Sequence, residues 1–184
     1  MRKFIILALP VALIASPALA QTDVTGTVNI DGSVAGRCMF TLPNATISLG
    51  EISLASNGKL DTSKVNGKSA TLSGWCNNTA ATMSVTTTQL TTGTAAATGF
   101  DNRVDYTGTA VTGSVSASDS SLVAGAGAPS TVGQFSGNIV VTLDSASSPT
   151  NGLMVAGAYT GNVVVTLTPT VAPPVGPPGP VGPV

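Results

Sequence analysis

Two cysteines, Cys38 and Cys76, carry the only thiols of this chain, and no histidine accompanies them. Without histidine there is no Ser-His-Asp or Cys-His catalysis and no histidine metal site. The glycines punctuate alternating runs and form no phosphate-cradling loop followed by Lys-Ser/Thr. Asp101, Asn102 and Asp105 are the one cluster of oxygen ligands close in sequence. A calcium ion needs roughly six or more oxygens, so the segment reads as a polar turn. Glu51 and the aspartates show no spacing that recommends a pair of hydrolytic carboxylates. Trp75, beside Cys76, offers a stacking platform to a sugar, against the plainer reading of a Trp packed near a cystine. Lys59, Lys64 and Lys68 share a polar stretch that reads as a solvated loop rather than a seat for an anionic glycan. The side chains thus point to no enzyme, no cofactor and no metal.

The chain opens with an export signal. Arg2 and Lys3 precede an apolar run over residues 4–15 and the small-residue site Ala18-Leu19-Ala20, so residues 1–20 read as a signal peptide and the mature chain starts at Gln21. No later apolar run is long enough for a transmembrane segment. In an oxidising compartment two cysteines usually form one disulfide, here Cys38–Cys76, the alternative being two free buried thiols.

Composition narrows the class further. Removing Arg2 and Lys3 from the 7 basic residues leaves 5 against 8 acidic ones, a formal net charge of −3, which argues against nucleic acid and anionic lipid as partners. Charged residues make up 8% of the chain against about a quarter in typical proteins, but the wealth of Val and Thr argues for strands rather than disorder. The mature length suits one domain.

Strand periodicity recurs along that domain. Val24, Gly26, Val28, Ile30, Gly32 and Val34 share one face of an extended run, which predicts a first strand with one buried side. Ile47 and Leu49 repeat the alternation, and Ala70, Leu72, Gly74 and Cys76 turn inward on the next run. Met83 and Val85 start a strand extending towards Leu90, Val104 and Tyr106 a short one, and residues 110–115 another. Two near copies, "SGNIVVTLD" (residues 136–144) and "TGNVVVTLT" (residues 160–168), predict Ile139, Val141, Leu143 and Val163, Val165, Leu167 facing inward. The stretch 113–134 reads as an irregular loop holding another strand near Val123. Asn57-Gly58, Asn66-Gly67, Asp101-Asn102 and Asn151-Gly152 mark turns. Seven or eight strands so punctuated make an all-β chain, a β-sandwich over residues 21–168. Pro169 stops the sheet, and the Pro/Gly/Val-rich residues 169–184 read as a polyproline II spacer or disordered tail.

"GTVNIDGSV" leading to Cys38, "ISLGEI" (residues 47–52), "ATLSGWC" (residues 70–76) and the ending "GAYTGNVVVTLTP" together resemble the strands of chaperone-usher pilin subunits and of spore-coat-U-like secreted proteins. The resemblance implies an immunoglobulin-like (pilin-type) sandwich lacking one strand. It also implies a periplasmic chaperone, an outer-membrane usher, and a fimbria-like surface or extracellular fibre built with other pilin-like subunits or copies of itself, in adhesion or biofilm. On this likeness Val24, Val28, Ile30 and Val34 form the donor strand, and Tyr159, Val163, Val165 and Leu167 belong to the closing strand that meets the chaperone. The rival class is a monomeric secreted module that binds a glycan through Trp75.

Overall fold

A computed structural model describes residues 24–170; the expected signal peptide over residues 1–20 and most of the Pro/Gly-rich tail lie outside the described residues. Among these residues the protein is all-β, with one short 3-10 turn at Thr62–Lys64 capped by Asp61. Eleven strands follow in chain order. They are β1 (Cys38–Leu42), β2 (Lys68–Cys76), β3 (Thr82–Thr87), β4 (Leu90–Thr91), β5 (Phe100–Asp101), β6 (Arg103–Thr112), β7 (Val115–Ser120), β8 (Ser130–Thr131), β9 (Phe135–Ser147), β10 (Leu153–Met154) and β11 (Val163–Thr168).

The larger sheet runs β1-β2-β9-β6, with β4 and β7 also paired to β6, and every one of these pairings is antiparallel. A second antiparallel sheet has the order β11-β3-β8, and β10 pairs β5 in parallel. Alternation decides which side chains face inward. Ile139 and Val141 of β9, Ala110 of β6 and Ala117 of β7 bury against Met83 and Val85 of β3 and Val165 of β11, so one apolar cluster joins the two sheets. A second cluster gathers Ile52, Leu60, Val65, Leu90, Val104, Tyr106 and Leu143. Partly buried Val163 packs against both.

The inward register expected for β2, β9 and β11 is present, and β11 ends at Thr168, immediately before Pro169. Asn57-Gly58 and Asn66-Gly67 make turns with glycine φ of 70° and 75°, and Asn151 itself has φ 54°. Four expectations need correction. Residues 24–34 form no strand: Val24, Val28, Ile30 and Val34 are 94%, 85%, 92% and 88% exposed, because no ladder partner receives their apolar face. Residues 46–52 form no strand either, although Ile47 and Leu49 pack against the second cluster. Val104, Tyr106 and Ala110 belong to one continuous strand, β6. The 113–134 stretch holds two strands, β7 and the two-residue β8, and neither contains Val123, which is exposed; the inward positions of β7 are Ala117 and Asp119. The polar sequence VSASDS concealed β7, since a strand pinned by a long neighbour needs little intrinsic propensity.

Candidate functional site

The disulfide anchors one end of the site. Cys38 and Cys76 are bonded and directly opposite each other in the β1–β2 ladder, with Cα atoms 4.1 Å apart. Two residues along, Phe40 faces Gly74, where an added Cβ would lie 2.8 Å from the Met39 carbonyl oxygen. Glycine at 74 therefore lets β1 close tightly on β2. That pairing stops at Ser73, so Ala70 and Leu72, farther back on β2, have no ladder neighbour on the β1 side.

The opposite wall is β11. Thr88 N–H donates to the Asn162 carbonyl at 2.9 Å, and Asn162 N–H donates to Thr88 Oγ1 at 2.8 Å. Bonded and non-bonded pairs alternate along an antiparallel ladder. Residues 164, 166 and 168 accordingly turn their backbone groups to β3, while those of Val163, Val165 and Leu167 turn to the other edge, where no strand pairs with β11 among the described residues. This is an open strand edge.

Between the two walls runs a trough of mixed polarity, with aliphatic side chains along its floor. Its inner part, about 270 Å³, has Ala45, Thr46 and Ile47 on one side and Gly161, Asn162 and Val163 on the other, over a floor of Ala70, Leu72, Tyr106, Val141 and Leu143. Its outer part, about 530 Å³, continues between residues 47–53 and residues 154–159. Exposure marks the consequence. Ile139, Val141 and Leu143 of β9 are buried, yet Ala70 and Leu72 of β2 and Val163 and Leu167 of β11, also inward-facing, are only partly covered. The core is left open along this side.

Polar groups at the trough are tied to backbone. Tyr106 is buried, its hydroxyl 3.4 Å from the Asn162 carbonyl, and burial pushes its pKa up to about 12, so it stays neutral. Tyr159 donates to the Val155 carbonyl at 2.9 Å, and burial raises its pKa as well. Asp101, expected in a polar turn, is instead buried on β5. Its Oδ2 accepts from Gly152 N–H at 2.8 Å and its Oδ1 from Thr150 Oγ1 at 2.9 Å. Burial disfavours its charge, but these donors outweigh that and hold its carboxyl below the usual aspartate range.

Of the other residues singled out, Glu51 lines the outer part of the trough and the rest lie apart from it. Trp75 is half-buried on the opposite face of β2, with Met39 and Ser136 as its ladder neighbours. Glu51 is exposed and accepts from Ser53 Oγ at 2.7 Å. Asp105 lies 3.5 Å from Arg103 Nε. The three lysines do not share a loop: Lys59 bridges to Leu153, Lys64 ends the 3-10 turn and Lys68 starts β2. No group of three or more His, Cys, Asp or Glu that could hold a metal ion occurs among the described residues, and no helix there is long and apolar enough to cross a membrane.

Val163, Val165 and Leu167 fall on β11, the strand the closing motif predicts, whereas Tyr159 precedes that strand and belongs to none. The facing wall was missed, since Ala45 and Thr46 carry no periodic signal of their own, as was Asn162, whose carbonyl sets the register of the open edge. No protein-family model, curated protein or solved structure matches the chain.

Proposed function

We propose that this chain is a structural subunit of a secreted, fimbria-like surface fibre: an immunoglobulin-like (pilin-type) β-sandwich that lacks one strand and receives it from a neighbouring subunit, in adhesion or biofilm. The observation that carries the reading is the trough, floored by aliphatic side chains and flanked at Val163 by the start of β11, whose outer edge is unpaired among the described residues. Adding a strand there would satisfy the backbone groups of Val163, Val165 and Leu167 and cover Leu72 and Ile47. The occupant must present apolar side chains at alternate positions. Residues 24–34 have that pattern, with Val24, Val28, Ile30 and Val34 exposed and Gly26 and Gly32 between them. Export before assembly calls for a temporary occupant of the same edge, the role of a periplasmic chaperone, with an outer-membrane usher to exchange it.

A peptide of residues 21–37 tests the reading when added to protein that lacks residues 21–33. At a free concentration of one hundred times its Kd, bound peptide stabilises the fold by about 2.7 kcal/mol. For a domain of this size that raises Tm by roughly 5–10 °C. The same peptide with Asp at positions 28 and 30 should leave Tm unchanged. If neither peptide moves Tm, or both do equally, residues 24–34 are not the occupant.

A further inference from the structure

We propose that Asn151-Gly152 is a latent self-modification site, held closed by the Asp101 carboxylate. An asparagine followed by glycine is the pair in which the next backbone nitrogen most easily reaches the side-chain carbonyl carbon, because glycine presents no Cβ. The Gly nitrogen gives up its proton and attacks Cγ of Asn, forming a C–N bond. The Cγ–Nδ2 bond breaks, ammonia leaves with the proton, and a cyclic imide remains. Water opens that ring at one carbonyl or the other, leaving aspartate or isoaspartate. The reaction needs a Gly N–H free of any acceptor and a backbone able to swing.

The chain has three such pairs, and the fold ties up the glycine amide of each. Gly58 N–H donates to the Leu54 carbonyl at 2.7 Å, Gly67 N–H to the Leu143 carbonyl at 2.8 Å, and Gly152 N–H to Asp101 Oδ2 at 2.8 Å. At the first two the asparagine is held as well: Asn57 Oδ1 accepts from Lys59 N–H at 3.0 Å and Asn66 Oδ1 from Ala146 N–H at 2.9 Å. Asn151 is different. It is exposed, lies at φ 54°, and sits in a turn where one carboxylate holds both the Thr150 hydroxyl and the Gly152 amide, with Leu153 N–H donating to the Gly99 carbonyl at 3.0 Å just beyond it. Glycine is required at 152, where a Cβ would stand 2.7 Å from the Gly99 carbonyl oxygen, so the packing that closes this turn also creates the reactive pair. Asp101 is thus the positioning residue that decides whether Asn151 survives.

Peptide mapping by mass spectrometry, during incubation in mildly alkaline buffer, reads the conversion at all three sites. Native protein should keep Asn57, Asn66 and Asn151 intact, and protein unfolded in urea should convert all three. Asp101→Ala removes charge-assisted bonds and should speed conversion of Asn151 by about tenfold to a hundredfold while Asn57 and Asn66 stay protected. Equal conversion of all three sites means that the variant has unfolded. The wild type then decides alone: Asn151 converting in native protein at more than about a tenth of its unfolded rate overturns the proposal. A folded Asp101→Ala protein with Asn151 as stable as in wild type overturns it equally.

Discussion

Placing aspartate at both Val28 and Ile30 separates assembly from folding. These side chains are 85% and 92% exposed, so nothing in the subunit's own packing depends on them, and exposed substitutions change stability by only about 0.5 kcal/mol either way. Buried in a neighbour's trough, each would contribute about 1.5–3 kcal/mol from its apolar surface. Aspartate forfeits that gain and adds the cost of dehydrating a carboxylate, several kcal/mol before relaxation. The forfeited transfer alone, ~3–6 kcal/mol for the pair, weakens subunit association by about 10²- to 10⁴-fold. Unboiled detergent gels of surface extracts should show a ladder of multimers in wild type and its loss in Val28→Asp/Ile30→Asp, while the purified variant melts where the wild-type subunit does. Thr25→Asp/Thr27→Asp, on the opposite face of the same run, should keep the ladder, because register fixes which face is buried. A ladder unchanged by the Val28/Ile30 pair refutes the reasoning. So does wild-type protein that runs only as a monomer and folds with unchanged stability after removal of residues 21–27; the secreted glycan-binding module then becomes the better account.

Two further outcomes follow from the geometry. Cys76→Ser opens a cystine spanning a sequence separation of 38, which in the chain-entropy model stabilises the fold by ~4 kcal/mol, so secreted yield should fall; alkylation followed by mass spectrometry should find no free thiol in wild type. The Asp101 carboxyl has a folded pKa below its unfolded value, so its contribution is fully present above the unfolded pKa and is lost as pH falls through the folded one. Acid unfolding followed by circular dichroism should therefore show a loss of stability as pH falls below the ordinary aspartate pKa of about 3.9 that Asp101→Asn flattens, and an unchanged acid limb would remove Asp101 from that account.

How much could be read in advance depended on whether a segment's partner was encoded near it. β9 and β11 were legible because their aliphatics alternate over a full strand and both faces of the argument, burial and period, agree. The cystine was legible from the cysteine count together with the expected export signal, and the glycine turns from Asn-Gly pairs. β7 was illegible because its VSASDS sequence has few strand formers, and its place comes from the neighbour β6. Asp101 was misread because an Asp-Asn pair is a sound turn signal, whereas here the carboxylate bonds a loop some fifty residues later. The trough itself could be read on one wall only: the closing strand announces itself, while Ala45 and Thr46 carry no periodic signal.

The two failed strand expectations carry their own information. Residues 24–34 and residues 46–52 both have the alternation of strands, and neither is paired in a ladder. Natural sequences tend to agree across local and tertiary levels, and departures concentrate at functional positions. One of these runs lines the trough, and the other exposes aliphatic side chains with nothing to cover them. An edge strand is ordinarily blunted by charge or proline, but β11 reads VVVTLT and carries neither. A free edge of that composition would favour uncontrolled aggregation unless a definite partner is supplied to it. On the proposed reading the same surplus of strand signal provides both halves of one joint: an edge kept apolar to accept a strand, and a segment kept free of its own sheet to serve as one in the next subunit.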